Sequence, residues 1–195
     1  MDLDIYIENW IISDGNYRHF CEGETRDFAL EFYAPKDLTK VALSSKHFRA
    51  SSGYTYDVSA EIVFISEAIC VLDFGLAAYS ESSSTLKAGY QLGDFVQGRI
   101  TLGIDPFFYF EQLSKISGVP PLIYEWRINS VEQDTSPLVP TEIGGRQGYR
   151  KLTGRSFHAV RATSENVTVP NEISPLHVLH CTKLDRPASS TFRHG

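Results

Sequence analysis

Methionine occurs once in this chain and cysteine three times, at positions 21, 70 and 181. Three thiols at irregular spacing do not make the even set that a secreted disulfide framework requires. Long apolar runs are also missing: none approaches the roughly 18 residues of a membrane-spanning helix, so no membrane contact is expected. The opening Met1-Asp2-Leu3-Asp4 is acidic where a secretory leader would be basic, and a soluble, cytoplasmic protein is the expectation. An excess of positive charge is absent as well. The formal net charge is −6 over 195 residues, which disfavours general affinity for nucleic acid.

Aromatic residues are abundant, with twelve Phe and ten Tyr against two Trp, and they suit a pleated, half-buried surface. Between Tyr54 and Phe74 every even position except Ser66 is apolar or aromatic, while Asp57, Ser59, Glu61 and Asp73 fall on odd ones. A period of two is the signature of extended chain. Kept straight, that block would span about 65–70 Å, too long for a domain of this size. It must turn back around Ile65-Ser66-Glu67 or bend at a bulge near Ser66.

Further strands are expected over Leu3–Ile12, around Phe28-Leu30-Phe32, over Val96–Ile104, over Leu122–Ile128, and over Ser156–Thr163 and Leu176–Leu184. Gly98 and Gly103 fall within one of these, which suggests a tight bend or a close backbone approach. Asp105-Pro106 is a helix-start signal and Gly118 a stop, so one short helix is predicted at about 106–117. Its inner stripe would be Phe107, Phe110, Leu113 and Ile116. Residues 132–155 lose periodicity and read as a long glycine-rich, basic loop. Residues 185–195 read as a loose tail. The whole is mostly β: one domain over 1–184, built as an antiparallel β-barrel or sandwich with one helix. The order strand, Gly93-Asp94-x-Val96-x-Gly98-x-Ile100, strand end, helix, strand is similar to the core of an OB-type barrel.

Several groups invite a chemical reading. Arg146, Tyr149, Arg150, Lys151 and Arg155 place four cations and an aromatic among glycines, suited to gripping phosphates or an acidic surface. No Gly-Lys-Ser/Thr closes the stretch, so it is not a P-loop. His177, His180 and Cys181 have metal-ligand chemistry, but on a strand His177 and His180 point oppositely, and an ordinary strand is the plainer account. His19 and Cys21 sit two apart without any nucleophile signature. Asp57 and Glu61, with Ser59, form an outward row that keeps a sheet soluble. Phe107-Phe108-Tyr109-Phe110 with Tyr124 and Trp126 could line a pocket, although such sets are usually core. No catalytic residue, metal or cofactor is assigned.

Residues 1–39 hold nine acidic and three basic side chains, whereas 144–161 hold five basic and no acidic ones. Asp2, Asp4, Glu8, Asp14, Glu22, Glu24 and Asp27 could together face a basic partner. The expectation is therefore a non-catalytic protein-binding module of the inhibitor or immunity type. Second stands an OB-like module for single-stranded nucleic acid or a phosphate ligand, working through residues 146–155. Third stands a small-molecule enzyme with a barrel pocket.

Overall fold

The computed structural model describes residues 1–42, 45–81, 89–143, 146–152, 156–170 and 175–192. The first strand, β1 (Asp2–Glu8), buries Leu3, Ile5 and Ile7 and leaves Asp4, Tyr6 and Glu8 on its other face. It is shorter than Leu3–Ile12. Ile11 and Ile12 are adjacent and both buried, which a strand cannot achieve by alternation, and Asn9–Ser13 coils into a short helix, α1. Gly15, at φ 83°, ends it.

Next come β2 (Thr25–Phe28), β3 (Leu30–Tyr33), β4 (Thr39–Val41), β5 (His47–Ser52), β6 (Thr55–Ile65), β7 (Ile69–Asp73), β8 (Ala77–Glu81) and β9 (Phe95–Ile104). Five of these close a barrel. β9 pairs with β3, β3 with β8, β8 with β7, β7 with β6, and β6 returns to β9; only β3–β8 is parallel. Closure removes the edges that an open sheet would expose.

The 54–74 block turns back as the hairpin anticipated around Ser66, and its bulge falls at Val63 rather than at Ser66. β6 and β7 form a hairpin whose turn is held by Ser66, its Oγ accepting the N–H groups of Ala68 (3.3 Å) and Ile69 (3.2 Å). A bulge between Ile62 and Phe64 then shifts register by one, from Phe64↔Val71 to Ile62↔Leu72. That shift keeps Ile62, Cys70 and Leu72 in one core. Without it, one strand would turn its apolar row outward. Along β9, Val96, Ile100, Leu102 and Ile104 are buried as the pattern requires. Both glycines of this strand mark close approaches: a Cβ on Gly98 would lie 2.6 Å from Leu38 Cδ2, and one on Gly103 2.7 Å from the Tyr6 ring.

After β9 the chain forms α2 (Phe108–Glu111) and a 3-10 turn (Leu113–Lys115), then β10 (Tyr124–Asp134), β11 (Leu138–Ile143), β12 (Arg146–Lys151), β13 (Phe157–Val160) and β14 (Leu176–Lys183). β10, flanked by β2, β13 and β14, forms an outer sheet that β14 extends to β1. β1 joins the barrel through one parallel bridge, Tyr6↔Gly103. A single apolar core takes Leu3, Ile5 and Trp126 from the outer sheet together with Val58, Ile62 and Ile100 from the barrel. Trp126 is fully buried, stacks on Phe28 with centroids 5.4 Å apart, and donates its indole N–H to the Phe28 carbonyl at 3.2 Å.

Three expectations need correction. The helix at about 106–117 is one α-turn followed by a 3-10 turn, because Phe107 takes a left-handed φ of 80° and delays the start. Its inward residues are Tyr109 and Leu113, while Phe110 and Ile116 are exposed. Residues 132–155 are not one long loop. Residues 132–134 complete β10, and β11 and β12 pair as a two-stranded ribbon. The 185–195 tail is docked as far as residue 192: Ser189 and Ile123 exchange two backbone hydrogen bonds, and Arg186 reaches Glu125 at 3.0 Å.

Candidate functional site

The residues first singled out for binding fall on β12 or beyond the described residues. Arg146, Tyr149, Arg150 and Lys151 lie on β12, paired in register with Ile143, Pro140, Val139 and Leu138; their side chains are outside the described structure. Arg155 lies outside the described residues altogether. His177 is buried, and His180 sits between two carboxylates, Asp4 at 2.6 Å and Glu132 at 3.2 Å. Its imidazolium is favoured, first by the Asp4 hydrogen bond and against a lesser effect of burial. Among the described residues no three His, Cys, Asp or Glu side chains are placed to share a metal ion.

Cys21 bridges Ala162 through its backbone; burial and then the neighbouring Glu24 push its thiol upward, away from a nucleophilic thiolate. His19 contacts Thr163 at 3.3 Å. Asp57 and Glu61 are ion-paired on the barrel surface, Asp57 with Arg99 at 3.0 Å and Glu61 with Lys46 at 2.7 Å. Ser59, expected beside them in the outward row, is fully buried, flanked by His47 of β5 and Gln97 of β9.

Four acids of the first third are engaged within the protein. Asp2 accepts from Thr182, Asp4 pairs with His180, Glu24 pairs with Arg26, and Asp27 is buried. Glu8 is different. It stands on the outward face of β1, where pleating also places Tyr6, and it accepts the Trp10 indole N–H at 2.5 Å. Gly103 leaves room for the Tyr6 ring to lie flat against β9. Tyr33 of β3 and Tyr54, which precedes β6, complete the group, with ring centroids 6.1 and 5.2 Å from that of Tyr6.

The result is a cleft of about 300 Å³ at the junction of barrel and outer sheet, with Tyr6, Glu8, Tyr54 and Thr101 in its lining. Tyr6 donates to the Tyr33 hydroxyl and Tyr33 to the Glu31 carboxylate, which fixes the rings. Burial, then the neighbouring Tyr33 phenol and the negative charge of Glu31 and Glu8, drives the Tyr6 phenol far above its ordinary range. The same field would favour an incoming cation. Tyr33 and Trp10 are each 47% exposed, and both are residue types that concentrate binding energy at interfaces. The sequence signal was β1 alternation, which sets Tyr6 and Glu8 on one face; the partnership with Tyr33 and Tyr54 depends on long-range pairing.

A larger open groove, about 670 Å³, runs along the barrel beside β4 and β5. Its lining includes Lys36, Asp37, Asp57 and Arg99, charges of both signs, and Asp57 and Arg99 already neutralise each other. It selects no ligand charge. No known protein-family model, curated protein or solved structure matches this chain.

Proposed function

We propose that this protein is a binding module that receives a basic segment of another protein in the Tyr6–Tyr33–Tyr54 cleft. One observation carries the reading: the half-buried rings of Tyr6 and Tyr54 line a cleft whose one charged member, Glu8, is acidic, with the exposed Tyr33 ring beside Tyr6. An arginine or lysine side chain placed there would gain cation–π contact with the tyrosines and a charge-assisted hydrogen bond to Glu8. Trp10, pinned by Glu8 at the margin, would cover the aliphatic stem of that side chain.

The test is a titration of isotope-labelled protein with a short arginine-rich peptide, followed by NMR. Saturable shifts are expected at Tyr6, Tyr33 and Tyr54, with affinity falling steeply as salt rises. Glu8→Gln should weaken binding about fivefold and Tyr54→Ala by about tenfold. A peptide of the same length rich in glutamate should leave the cleft unperturbed. Equal response to both peptides, or no response at the tyrosines, overturns the reading. Shifts on β12 with a single-stranded oligonucleotide, and none at the cleft with the peptide, would favour the nucleic-acid alternative instead.

A further inference from the structure

A third concavity, lined from residues 16–18, the start of α2 and Phe192, has features that the protein-binding reading does not use. It measures about 300 Å³ and is lined by Tyr17, Phe107, Phe110 and Phe192, with Arg18 and Asp27 among its polar members. The rings form a continuous wall. Phe107 stacks on Phe192 with centroids 4.9 Å apart and 9° between planes, and it meets Tyr17 and Phe110 edge-on at 5.3 and 5.4 Å.

That wall depends on backbone strain. Phe107 is the one non-glycine residue with positive φ among the described residues. A left-handed phenylalanine persists only where its surroundings hold it, and such positions gather at ligand clamps. The hold here is Asp105, buried at the end of β9, which accepts the Tyr109 N–H at 3.1 Å and the Tyr79 hydroxyl at 2.5 Å. The backbone leaves Asp105 through Pro106 and delivers the Phe107 ring to the cleft instead of to the core.

Charge decides what would fit. Arg26, at the inner end, is neutralised by Glu24 at 2.6 Å, and Asp27 beside it is buried and engaged within the protein. Arg18 is exposed and has no hydrogen-bond or ion-pair partner among the described residues. The cleft therefore presents aromatic faces with one uncompensated cation at its rim.

We infer that this cleft binds a small aromatic acid, its ring against Phe107 and Phe110 and its carboxylate on Arg18. The volume suits one mono- or bicyclic ring, at the small end of ligand pockets. Offset or edge-on ring contacts hold the aromatic part, and the guanidinium takes the carboxylate as a two-pronged donor.

Three probes separate the parts of the claim. Indole-3-acetate carries ring and charge, indole the ring alone, and acetate the charge alone. In NMR titrations indole-3-acetate should give saturable shifts at residues 16–18 and 107–110. Indole should bind there about fivefold more weakly, and acetate should not bind detectably. Arg18→Ala, at an exposed position that leaves the fold intact, should reduce indole-3-acetate to the affinity of indole. Phe110→Ala, also exposed, should weaken both ring-bearing probes. Glu8→Gln should change neither, so failure here is distinct from failure at the tyrosine cleft. Indole-3-acetate affinity unchanged by Arg18→Ala, or shifts confined to other surfaces, would overturn the assignment.

Discussion

Asp105 shows how one side chain can fix a local backbone at an energetic cost. Its carboxyl is raised above the ordinary carboxylate range, mainly by burial, with the Tyr79 hydroxyl and nearby amides pulling it partly back. A group raised in the folded state favours folding most when protonated. Its contribution is therefore greatest below the ordinary value of about 3.9 and declines as pH climbs through the raised one. Asp105→Asn keeps an oxygen for Tyr79 and Tyr109 while removing the buried charge, and should leave stability within about 1 kcal/mol of the parent at neutral pH. Asp105→Ala strands both donors and should cost about 2–3 kcal/mol. Urea unfolding of the two variants checks this; equal losses would mean that the acceptor oxygen contributes nothing. Asp105-Pro106 reads as an N-cap and first helical residue, but the cap position is Phe107, and Asp105 reaches the Tyr109 N–H from two residues earlier. The left-handed turn at Phe107 was not legible, because nothing in its neighbours demands positive φ of a bulky residue.

At the scale of elements, His180 on β14 joins β1 through Asp4 and β10 through Glu132. Both carboxylates favour the imidazolium, so its folded pKa is raised. The stabilisation is complete below about pH 6.5 and is lost as pH rises through the raised value. His180→Gln should lower the melting temperature clearly at about pH 5.5 and hardly at all at about pH 9, a contrast that thermal scans at the two values would reveal. An equal effect at both would reduce the histidine to a packing role. The elements most legible in sequence were those with uninterrupted alternation, such as β6 and β9. The β11–β12 ribbon was missed although Gly144-Gly145 separates two runs of six, a recognised hairpin spacing. Charges, a proline and a glycine within the runs hid the period. The docked tail was missed for a different reason: Phe192 gains its partner, Phe107, from residues far away in the chain.

Across the whole molecule, barrel and outer sheet share a core but touch along the backbone of β1 and β9 at one bridge, Tyr6↔Gly103. Gly103→Ala would put a methyl 2.7 Å from the Tyr6 ring and force it aside. The expected cost is about 1–3 kcal/mol, together with weakened peptide binding at the tyrosine cleft while indole-3-acetate binding is retained. Calorimetry and the two titrations would show whether the losses separate in this way. The tyrosine cleft itself was beyond sequence reading because it needs β1, β3 and the start of β6 side by side. The pairing of β1 with β14, from Asp2↔Thr182 to Glu8↔Leu176, has a kinetic meaning. β1 must wait for a strand translated about 170 residues later before its ladder can form, and closing so large a loop is slow. Until then Leu3, Ile5 and Ile7 would stand open on the nascent chain, the stretch a chaperone would be expected to shield.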